Sequence, residues 1–424
     1  MRRPRRYTNL WRLLFLIAIA AFLIYVNNVV EPLSPDLFLP TFTPTIQPET
    51  FVSQAEKYLE EGKYNLALQE YQKAIQSDPK DPANFISAAR INVYAGDYSQ
   101  AAVNASNALL LSPDSSMAEA LKGLALGLSG EYLTAEASLK RASELDPSNA
   151  FAYAYQAIVY AQQIINGQTA LGSLDNAIEA SRQAVAIAPA ALETHWARGV
   201  VLEVTSNYEE AITEFEQAIA LNTNIAELHM ALGRNYRALQ KPEQAVEEFT
   251  RAGALNPSDP NPVLFISRIY AEIGEFGKAI QYAQQAVNNA PDDPFMYGNL
   301  GQMYFRNRQY DQGLFALRLA VRGGATPEGE VVEGLPLAPG RVTEYYYQYG
   351  LTLMRLGYCE EAIQIGQAIK QAITDDEVAV YNAQFIIDNC IGSVNSGIPE
   401  PTMIPSPTAR PTQTPVVNPF DTNK

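Results

Sequence analysis

Residues 48–81 read PETFVSQAEKYLEEGKYNLALQEYQKAIQSDPKD, and the spacing of their small residues decides the fold. The marked positions are Ala55, Ala67, Ala74 and Pro79, and the same spacing returns at Gly123, Ala135, Ala142 and Pro147. Prolines also recur every 34 residues, at Pro79, Pro113 and Pro147 and again at Pro257 and Pro291. A fixed period of this length predicts a solenoid of helix pairs, each of which buries its apolar face only by stacking on its neighbours.

Nine such units fit the sequence, and each reads as a first helix (helix A), a turn and a second helix (helix B). They cover residues 48–81, 82–115, 116–149, 150–191, 192–225, 226–259, 260–293, 294–327 and 343–376. Unit four has extra residues around Gln163–Ser173, which predict an extended turn between its helices. Residues 323–341 break the period and, being rich in Gly, Pro and Glu, predict a surface loop. A last helix over residues 375–390 is expected to cap the open end.

The small residues let the two helices of a unit approach closely, and large aromatic residues fill the remaining space. They are Ala55, Gly123, Gly199, Gly233, Gly301 and Gly350 in helix A, and Ala67, Ala101, Ala135, Ala211, Ala245 and Ala279 in helix B. This register resembles that of the tetratricopeptide repeat family over roughly residues 48–390. The resemblance implies an all-α, right-handed α-solenoid whose A helices line a concave face, binding of protein or peptide partners, and no intrinsic catalysis.

Residues 10–30 are expected to form one transmembrane helix ahead of the solenoid. Leu13 to Val26 is unbroken apolar or aromatic sequence, and a helix from Leu10 to Val30 would extend about 30 Å, which is one hydrocarbon core. Residues 1–9 contain four arginines, and because short arginine-rich flanks stay cytoplasmic, we predict a single-pass protein of the cell membrane with an extracytoplasmic solenoid. The alternative is a cleaved signal peptide, although the small-x-small triplet at residues 18–20 interrupts the apolar run.

Two proline-rich segments flank the solenoid. Residues 31–47 contain four prolines and several threonines, which predict a stiff, extended linker. The tail over residues 393–424 is predicted to be disordered, because it cannot bury enough apolar area to offset its chain entropy. A glycosylated or wall-spanning stalk is the alternative for the tail.

Charge and composition restrict the partner and the chemistry. The chain has 46 acidic and 30 basic residues and a net charge of −16, which disfavours a nucleic-acid partner. Its only histidines, His195 and His229, occupy equivalent positions of units five and six, but a zinc site needs three or four protein ligands. We find no phosphate-binding glycine loop and no nucleophile elbow in the sequence. We therefore predict no enzyme activity, no metal and no cofactor.

Cys359 and Cys390 are the only cysteines. The first begins helix B of unit nine and the second ends the capping helix, so both are placed at the same edge of the stack. Outside the cytoplasm such a pair readily oxidises, which makes a disulfide our hypothesis. Two buried thiols are the alternative.

The resemblance also implies which residues line the concave face, since the family's helix-A positions can be transferred to this register. The resulting face has two halves of different composition. The first is mostly apolar and contains Ile86, Arg90, Val93, Met117, Leu124, Leu128, Phe151, Ile158 and Trp196. The second contains Arg234, Arg237, Arg268, Phe305, Arg306, Tyr347 and Arg355. Because arginine pairs bidentately with carboxylate, this face predicts a partner segment with one apolar and one acidic stretch. The alternative is that these arginines pair with Glu and Asp of the solenoid itself.

Together these features predict a membrane-anchored, extracytoplasmic scaffold that binds protein or peptide partners without catalysis. A secreted or periplasmic solenoid that binds a cell-envelope polymer or a small ligand is the alternative, and it would expose aromatic platforms along its groove. An enzyme on a helical scaffold is a third class, and it would gather carboxylates or histidines in one cleft.

Overall fold

The computed structural model describes residues 10–26, 47–168 and 170–395, which are mostly helical. Its helices are α1 (Leu10–Tyr25), α2 (Pro48–Glu60), α3 (Tyr64–Ser77), α4 (Pro82–Ala95), α5 (Tyr98–Leu111), α6 (Ser116–Leu128), α7 (Tyr132–Leu145), α8 (Ala150–Ile165), α9 (Ser173–Ile187), α10 (Leu192–Val204), α11 (Tyr208–Leu221), α12 (Ala226–Ala238), α13 (Pro242–Leu255), α14 (Asn261–Glu272), α15 (Phe276–Asn289), α16 (Pro294–Arg306), α17 (Tyr310–Arg322), α18 (Arg341–Leu356), α19 (Cys359–Ala372) and α20 (Glu377–Asn395). Two strands, β1 (Gly323–Ala325) and β2 (Val331–Glu333), lie between α17 and α18. Helices α2 to α19 form consecutive A–B pairs, so unit one is α2 and α3, and unit nine is α18 and α19.

Helix α1 lies in a separate unit from the solenoid helices. Its side chains from Trp11 to Tyr25 are exposed and are apolar apart from Arg12. The sequence predicted a membrane-spanning helix over Leu10–Val30, but the described helix ends at Tyr25. Among the residues that the structure describes, no helix has both the length and the apolarity to cross a bilayer. The predicted cytoplasmic segment 1–9, the end of the predicted span (27–30), the linker up to residue 46 and the tail from residue 396 lie outside the described residues.

The helix pairs follow the 34-residue spacing because small residues at fixed positions let helices A and B pack closely. In unit five, a Cβ at Gly199 of α10 would lie 2.6 Å from the Phe215 ring of α11, so only glycine fits there. Side chains cap helix A in units two, three, four and eight, as where Asp81 accepts a hydrogen bond from the backbone N–H of Ala83 (2.9 Å). The spacing of the small residues therefore sets the unit boundaries, and a cap adds to it in these four units.

The turn between helices A and B holds at least one residue in the left-handed region. That residue is glycine in several units, with φ of 70° at Gly62 and 82° at Gly274. Units five, six and eight instead have Ser206, Gln240 and Arg308 at the equivalent position, with φ of 63°, 56° and 60°. A residue with a Cβ costs about 1–2 kcal/mol in this conformation, so these turns carry backbone strain.

The insertion in unit four is divided between a helix and a turn. Helix α8 continues to Ile165, so part of the insertion lengthens helix A, and the turn begins at Asn166. The hydroxyl of Ser173, the first residue of α9, donates a hydrogen bond to the buried Gln163 side chain (3.0 Å). This contact ties the end of the insertion back to helix A.

The second insertion, predicted to be a surface loop, contains an antiparallel hairpin of β1 and β2. Val332 is buried in the core while Val331 and Glu333 are exposed, which is the alternation of a strand packed on one face. The sequence predicted a loop and missed this strand pairing, because the segment is rich in Gly and Pro and its only strand-like signal is the short pair Val331-Val332. Helix A of unit nine then begins at Arg341, two residues before the predicted start at Thr343.

Helix α20 packs on α18 and α19 and covers the end of the stack. It runs from Glu377 to Asn395, whereas the sequence predicted residues 375–390. Its Cys390 is bonded to Cys359 of α19 in a disulfide, with 5.0 Å between the two Cα atoms. That separation lies within the range that disulfides span without backbone movement.

The first two units also contact units five and six, although they are far apart in sequence. The Tyr64 hydroxyl of unit one donates to Asn222 Oδ1 (3.0 Å), and the Tyr94 hydroxyl of unit two donates to Glu193 Oε1 (2.6 Å). The turn glycines permit this approach, because the side chains of two asparagines occupy the space that a Cβ would need. We call this set of contacts the N-terminal closure: Tyr64–Asn222, Tyr94–Glu193, Gly62–Asn224 and Gly96–Asn256.

Candidate partner-binding site

The apolar half of the predicted binding face lies mainly in the core. Leu124 is 0% exposed and Trp196 is 1% exposed, so their assignment to a partner-binding surface is wrong. Val93 and Ile158 are buried as well. The A helices of units two to six pack on one another, and the N-terminal closure brings α4 against α12, so these side chains contact protein instead of solvent.

Met117 and Phe151 are half-buried. Both line an open pocket of about 550 Å³ at the edge where one unit joins the next, together with Asp114, Ser116, Leu145 and Ile187. Ile86 and Leu128 are half-buried too and pack against the same core. This edge is the part of the predicted apolar face that a partner can reach.

Arg90 lies inside the N-terminal closure. It is half-buried near Tyr94, Tyr155 and Glu193. Burial raises the pKa of Tyr94 well above its usual value, and the adjacent Glu193 carboxylate raises it further. The Arg90 guanidinium opposes this rise at Tyr94 and a similar rise at Tyr155, so it acts on groups of the solenoid itself.

Arg234 of α12 pairs with two carboxylates of the solenoid. Its Nε lies 2.8 Å from Glu203 Oε1 and its Nη1 lies 3.2 Å from Glu227 Oε1. Burial alone would lower the pKa of Arg234, but the two carboxylates outweigh burial and raise it above its usual value. Arg237 likewise pairs with Glu272 of the next unit, with Nε 3.2 Å from the carboxylate oxygens. For these two arginines the structure has the internal pairing that the sequence left as the alternative.

Arg268 of α14 has a different environment. Its Nε donates to Asn299 Oδ1 on α16 (3.3 Å), and its guanidinium lies over the Phe265 ring, 5.6 Å from the ring centroid. The Asn299 amide is held by a donation from its Nδ2 to the Ser267 hydroxyl (3.2 Å). Within the described residues Arg268 forms no salt bridge. Burial lowers the pKa of Arg268, and the nearby Arg341 lowers it further.

Tyr345 of α18 forms the floor beside Arg268. Its ring is fully buried and packs where Gly298 of α16 leaves room, since a Cβ there would lie 2.4 Å from Tyr345 Cε2. The Tyr345 hydroxyl is beside the Arg268 guanidinium. Burial raises the pKa of Tyr345, and the Arg268 guanidinium, which shares a side-chain hydrogen bond with its hydroxyl, opposes that rise.

The remaining predicted residues lie farther toward the C-terminus. Phe305 stacks edge-on against Tyr310 (ring centroids 5.8 Å apart), and the Arg355 guanidinium covers the same Tyr310 ring at 5.5 Å. Arg306 and Arg355 are exposed, whereas Tyr347 is half-buried. Units seven to nine therefore present a helix-A face with arginine and aromatic side chains, which we call the C-terminal A face: Arg268, Phe305, Arg306, Arg341, Tyr347 and Arg355. Asn299 and Tyr345, which contact Arg268, are fully buried and are not part of this surface.

The two histidines take part in a repeated structural contact. His195 Nδ1 lies 2.7 Å from Glu214 Oε2, and His229 Nδ1 lies 2.6 Å from Glu248 Oε2. Each pair joins helix A to helix B of one unit, and the members of the two pairs are 34 residues apart. Over the described residues, no group of three or more His, Cys, Asp and Glu side chains has a metal-binding arrangement.

Sequence reasoning missed Asn299, Arg341 and Tyr345. Arg341 and Tyr345 follow the 323–340 insertion, which shifts the register against which helix-A positions are counted. Asn299 is a small polar residue that repeats at no equivalent position, so its contact with Arg268 had no signal in the period. The aromatic run at Tyr345, Tyr346 and Tyr347 was the available signal, and only Tyr347 was singled out.

Nine stacked helix pairs with a capping helix define a helical-repeat protein. The chain contains tetratricopeptide repeats: sequence models of this family match residues 49–81, 165–224 and 230–294. No curated protein matches the sequence.

The solved structures that match this chain include three proteins. The Pseudomonas aeruginosa protein pilF has 23% identity, with 48% of this chain and 90% of that chain covered and a TM-score of 0.38. A tetratricopeptide repeat protein from Parabacteroides merdae has 14% identity, with 60% and 98% covered and a TM-score of 0.38. Yeast Tom70 has 13% identity, with 82% and 96% covered and a TM-score of 0.39.

Proposed function

We propose that this protein is a membrane-anchored, extracytoplasmic scaffold that binds protein or peptide segments on its C-terminal A face, without catalysis. The observation that carries the proposal is the contrast between the two halves of the solenoid. The A helices of units two to six are packed against each other and closed by Tyr94–Glu193, whereas Arg306 and Arg355 on units eight and nine are exposed.

The composition of the C-terminal A face suits a protein partner. Arginine and aromatic side chains are enriched where proteins bind proteins, because they combine apolar contact area with directional hydrogen bonds. Phe305, Tyr310 and Arg355 are already stacked on one another, so little side-chain entropy would be lost when a partner binds. A tetratricopeptide repeat scaffold that mediates protein interactions fits this face.

The anchor is supported by the N-terminal sequence and by α1. Four arginines precede a helix whose apolar side chains are exposed from Trp11 to Tyr25. Exposed apolar surface of this kind is stable in a bilayer and costly in water. The arginines favour a cytoplasmic N-terminus, which would put the solenoid on the other side of the membrane.

Site-specific crosslinking in the native membrane tests the binding proposal. A photoreactive residue at position 305 should give a discrete adduct with a partner. The matched control is position 133, where Leu133 is 84% exposed on a B helix. Equal crosslinking at both positions, or none at 305, would contradict a partner on the C-terminal A face.

Protease accessibility tests the anchor separately. Protease added outside the cytoplasmic membrane should degrade the solenoid and leave a short N-terminal fragment in the membrane fraction. A solenoid that is cut only after lysis would reverse the orientation, and one that is recovered in the soluble fraction would contradict the anchor.

A further inference from the structure

The capping helix α20 buries one face and exposes another that is also apolar. The buried face packs on α18 and α19 at positions three and four residues apart: Ala379, Ala383, Ile386 and Cys390. On the other side, three large apolar side chains are between 41% and 70% exposed. They too are three and four residues apart, so they form one row along the helix. We call this row the α20 stripe: Val378, Tyr381 and Phe385.

The two ends of the solenoid differ in this respect. The terminal units of a solenoid normally have a polar outer face, because no further unit covers them. At the N-terminal end, the exposed side chains of α2 between residues 51 and 60 are all polar: Ser53, Glu56, Lys57 and Glu60. At the C-terminal end, the exposed α20 stripe is apolar and aromatic. The chain thus follows the rule at its first solenoid helix and departs from it at its last.

The polar groups around the α20 stripe are satisfied within the helix itself. Asn382 Nδ2 donates to the Val378 carbonyl, and Asn389 Nδ2 donates to the Phe385 carbonyl, each over 2.8 Å. Among its 19 residues, α20 has two acidic side chains and no basic one. Covering the stripe therefore desolvates few groups that would need a new hydrogen-bond partner.

Charge and composition favour a second copy of this chain as the occupant. Helices that lie on a membrane surface carry Lys and Arg on their polar face, and α20 has neither. Head-to-tail stacking of copies would place the α20 stripe on the polar face of α2, so it would bury apolar surface on one side only. With 46 acidic and 30 basic residues, two copies repel each other, and α20 is a face where few charges oppose their approach. Two-fold dimers are also the commonest protein assembly.

We propose that α20 is the interface of a two-fold symmetric homodimer, in which the α20 stripes of two copies pack antiparallel on each other. Phe385 lies in the middle of the exposed face, which extends from Val378 to Gly392, so the two-fold axis passes beside Phe385. Tyr381 of each copy then faces Asn389 of the other, and Val378 faces Gly392. A Cβ at Gly392 would have no heavy atom of its own chain within 4 Å, so this position leaves room for the opposing valine.

The apolar area of this face suits a weak, specific dimer. Ile391 lies at its edge and is also exposed. If a fully exposed side chain of this size contributes about 150–250 Å², the stripe and Ile391 expose roughly 400 Å². A standard interface buries about 800 Å² on each partner, of which about 450 Å² is apolar. The apolar surface available on α20 is close to that value.

The disulfide fixes the orientation of the stripe. Cys390 lies on the buried face of α20 and is bonded to Cys359 of α19, with 5.0 Å between the Cα atoms. This bond prevents α20 from rotating about its axis and keeps Val378, Tyr381 and Phe385 on the outer side. A face that is held in its bound orientation before association loses less conformational entropy when a second copy binds.

Sedimentation of the full-length chain in density-matched detergent micelles tests the dimer. We expect a monomer–dimer equilibrium with a Kd on the order of 10 μM. Phe385→Glu places two carboxylates at the centre of the interface and should raise that Kd about 30-fold, as the loss of a central aromatic contact does. The matched control is Leu133→Glu, which places the same charge at an exposed leucine of a B helix and should leave the Kd unchanged. Because both side chains are exposed, neither variant should lower Tm.

A charge exchange tests the antiparallel register. Tyr381→Lys should weaken the dimer about tenfold. Adding Asn389→Glu should recover about fivefold of that loss at low salt and less at high salt, because the new lysine of each copy then faces the new glutamate of the other. The two positions are eight residues apart on one helix, which is too far for a contact within one copy. The recovery therefore reports on contacts between copies.

A photoreactive residue at position 381 identifies the occupant. In a mixture of isotope-labelled and unlabelled chains, the adduct should join one labelled to one unlabelled copy through α20. An adduct within a single chain to residues 396–424 would show that the tail covers the stripe, and an adduct with another protein only would show a different partner; both overturn the proposal.

The sedimentation results can overturn it as well. A chain that stays monomeric up to about 1 mM has no such dimer. A Kd that is unchanged by Phe385→Glu, or is raised equally by Leu133→Glu, would place the interface elsewhere. No recovery on adding Asn389→Glu would contradict the antiparallel register. Should Phe385→Glu melt below wild type, Tyr381→Lys, at the most exposed position of the stripe, decides between a lost interface and a lost fold.

Discussion

Replacing Tyr94 by Phe should open the N-terminal closure. The Tyr94 hydroxyl donates to Glu193 Oε1 over 2.6 Å, and both residues are buried, at 8% and 6% exposure. A hydrogen bond to a charged acceptor contributes about 1.5–3 kcal/mol, and its loss leaves a buried carboxylate without this donor. Because units one and two touch units five and six through only a few contacts, we expect that cost to appear as local opening rather than global unfolding.

Hydrogen exchange measures the opening directly. A cost of about 1.5–3 kcal/mol corresponds to a roughly 10- to 150-fold increase in the exchange of amides protected by the closure. The faster amides should lie in α4, α10 and α12, and those in α16 to α20 should not change. The urea midpoint should change little in comparison, since the expected opening is local.

Tyr132→Phe is the matched control. The Tyr132 hydroxyl accepts a hydrogen bond from Asn166 Nδ2 (2.7 Å), a contact between adjacent units three and four that lies outside the closure. This variant should lose stability locally and leave exchange in α4 and α12 unchanged. If Tyr94→Phe leaves α4 and α12 as protected as in wild type, or if Tyr132→Phe exposes them equally, the closure does not hold the two parts of the solenoid together.

Three further predictions concern features of the fold. Reducing the Cys359–Cys390 disulfide, which spans 31 residues, should lower the unfolding free energy of the C-terminal cap by about 3–4 kcal/mol in the chain-entropy treatment, and two titratable thiols in the unreduced denatured protein would contradict the bond. Gly298→Ala should lower the unfolding free energy by about 1–2 kcal/mol. The overlap of the new Cβ with the Tyr345 ring costs more free energy than the higher helix propensity of alanine contributes. Its control, Gly277→Ala, meets nothing within 4 Å and should be neutral or stabilising by up to about 1 kcal/mol, so equal urea midpoints for the two variants would refute the packing argument. Gln240→Gly should raise the unfolding free energy by about 0.5–1 kcal/mol by relieving a positive φ, and a fall in Tm would show that the turn is not strained.

The features that the sequence predicted well are the ones set within one unit. Helix A starts at Pro48, Pro82 and Pro294 as the 34-residue spacing indicates, because helix–helix approach within a unit depends on residues at fixed separations. Gly199 was predicted for the same reason, because it packs against Phe215 of the same unit. Where an insertion changes the separation, as at residues 323–340, the register no longer indicates the structure, and the hairpin and Tyr345 were both missed.

Contacts between distant units had no comparable signal. Tyr94 and Glu193 are 99 residues apart, and their meeting depends on the small rotation from each unit to the next, accumulated over three units. A period fixes what repeats, but it does not fix the size of that rotation. For this reason Leu124 and Trp196 were assigned to a binding face although the stacking of their units buries them.

The different neighbours of Arg234 and Arg268 could be predicted in part. They follow from the repeat register, but only when the sequences of neighbouring units are compared. Arg237 lies in the preceding unit, 31 residues before Arg268. Glu203 lies 31 residues before Arg234 in the same way and is bonded to it. Helix-A side chains of adjacent units contact each other at this offset, as Asn299 and Arg268 also do. A charged residue on a repeat is therefore interpreted with its equivalent neighbours in the preceding and following units. Where those neighbours supply the opposite charge, as at Arg234, the residue stabilises the stack. Where they do not, as at Arg268, the guanidinium contacts an amide and an aromatic ring instead, here Asn299 and Phe265.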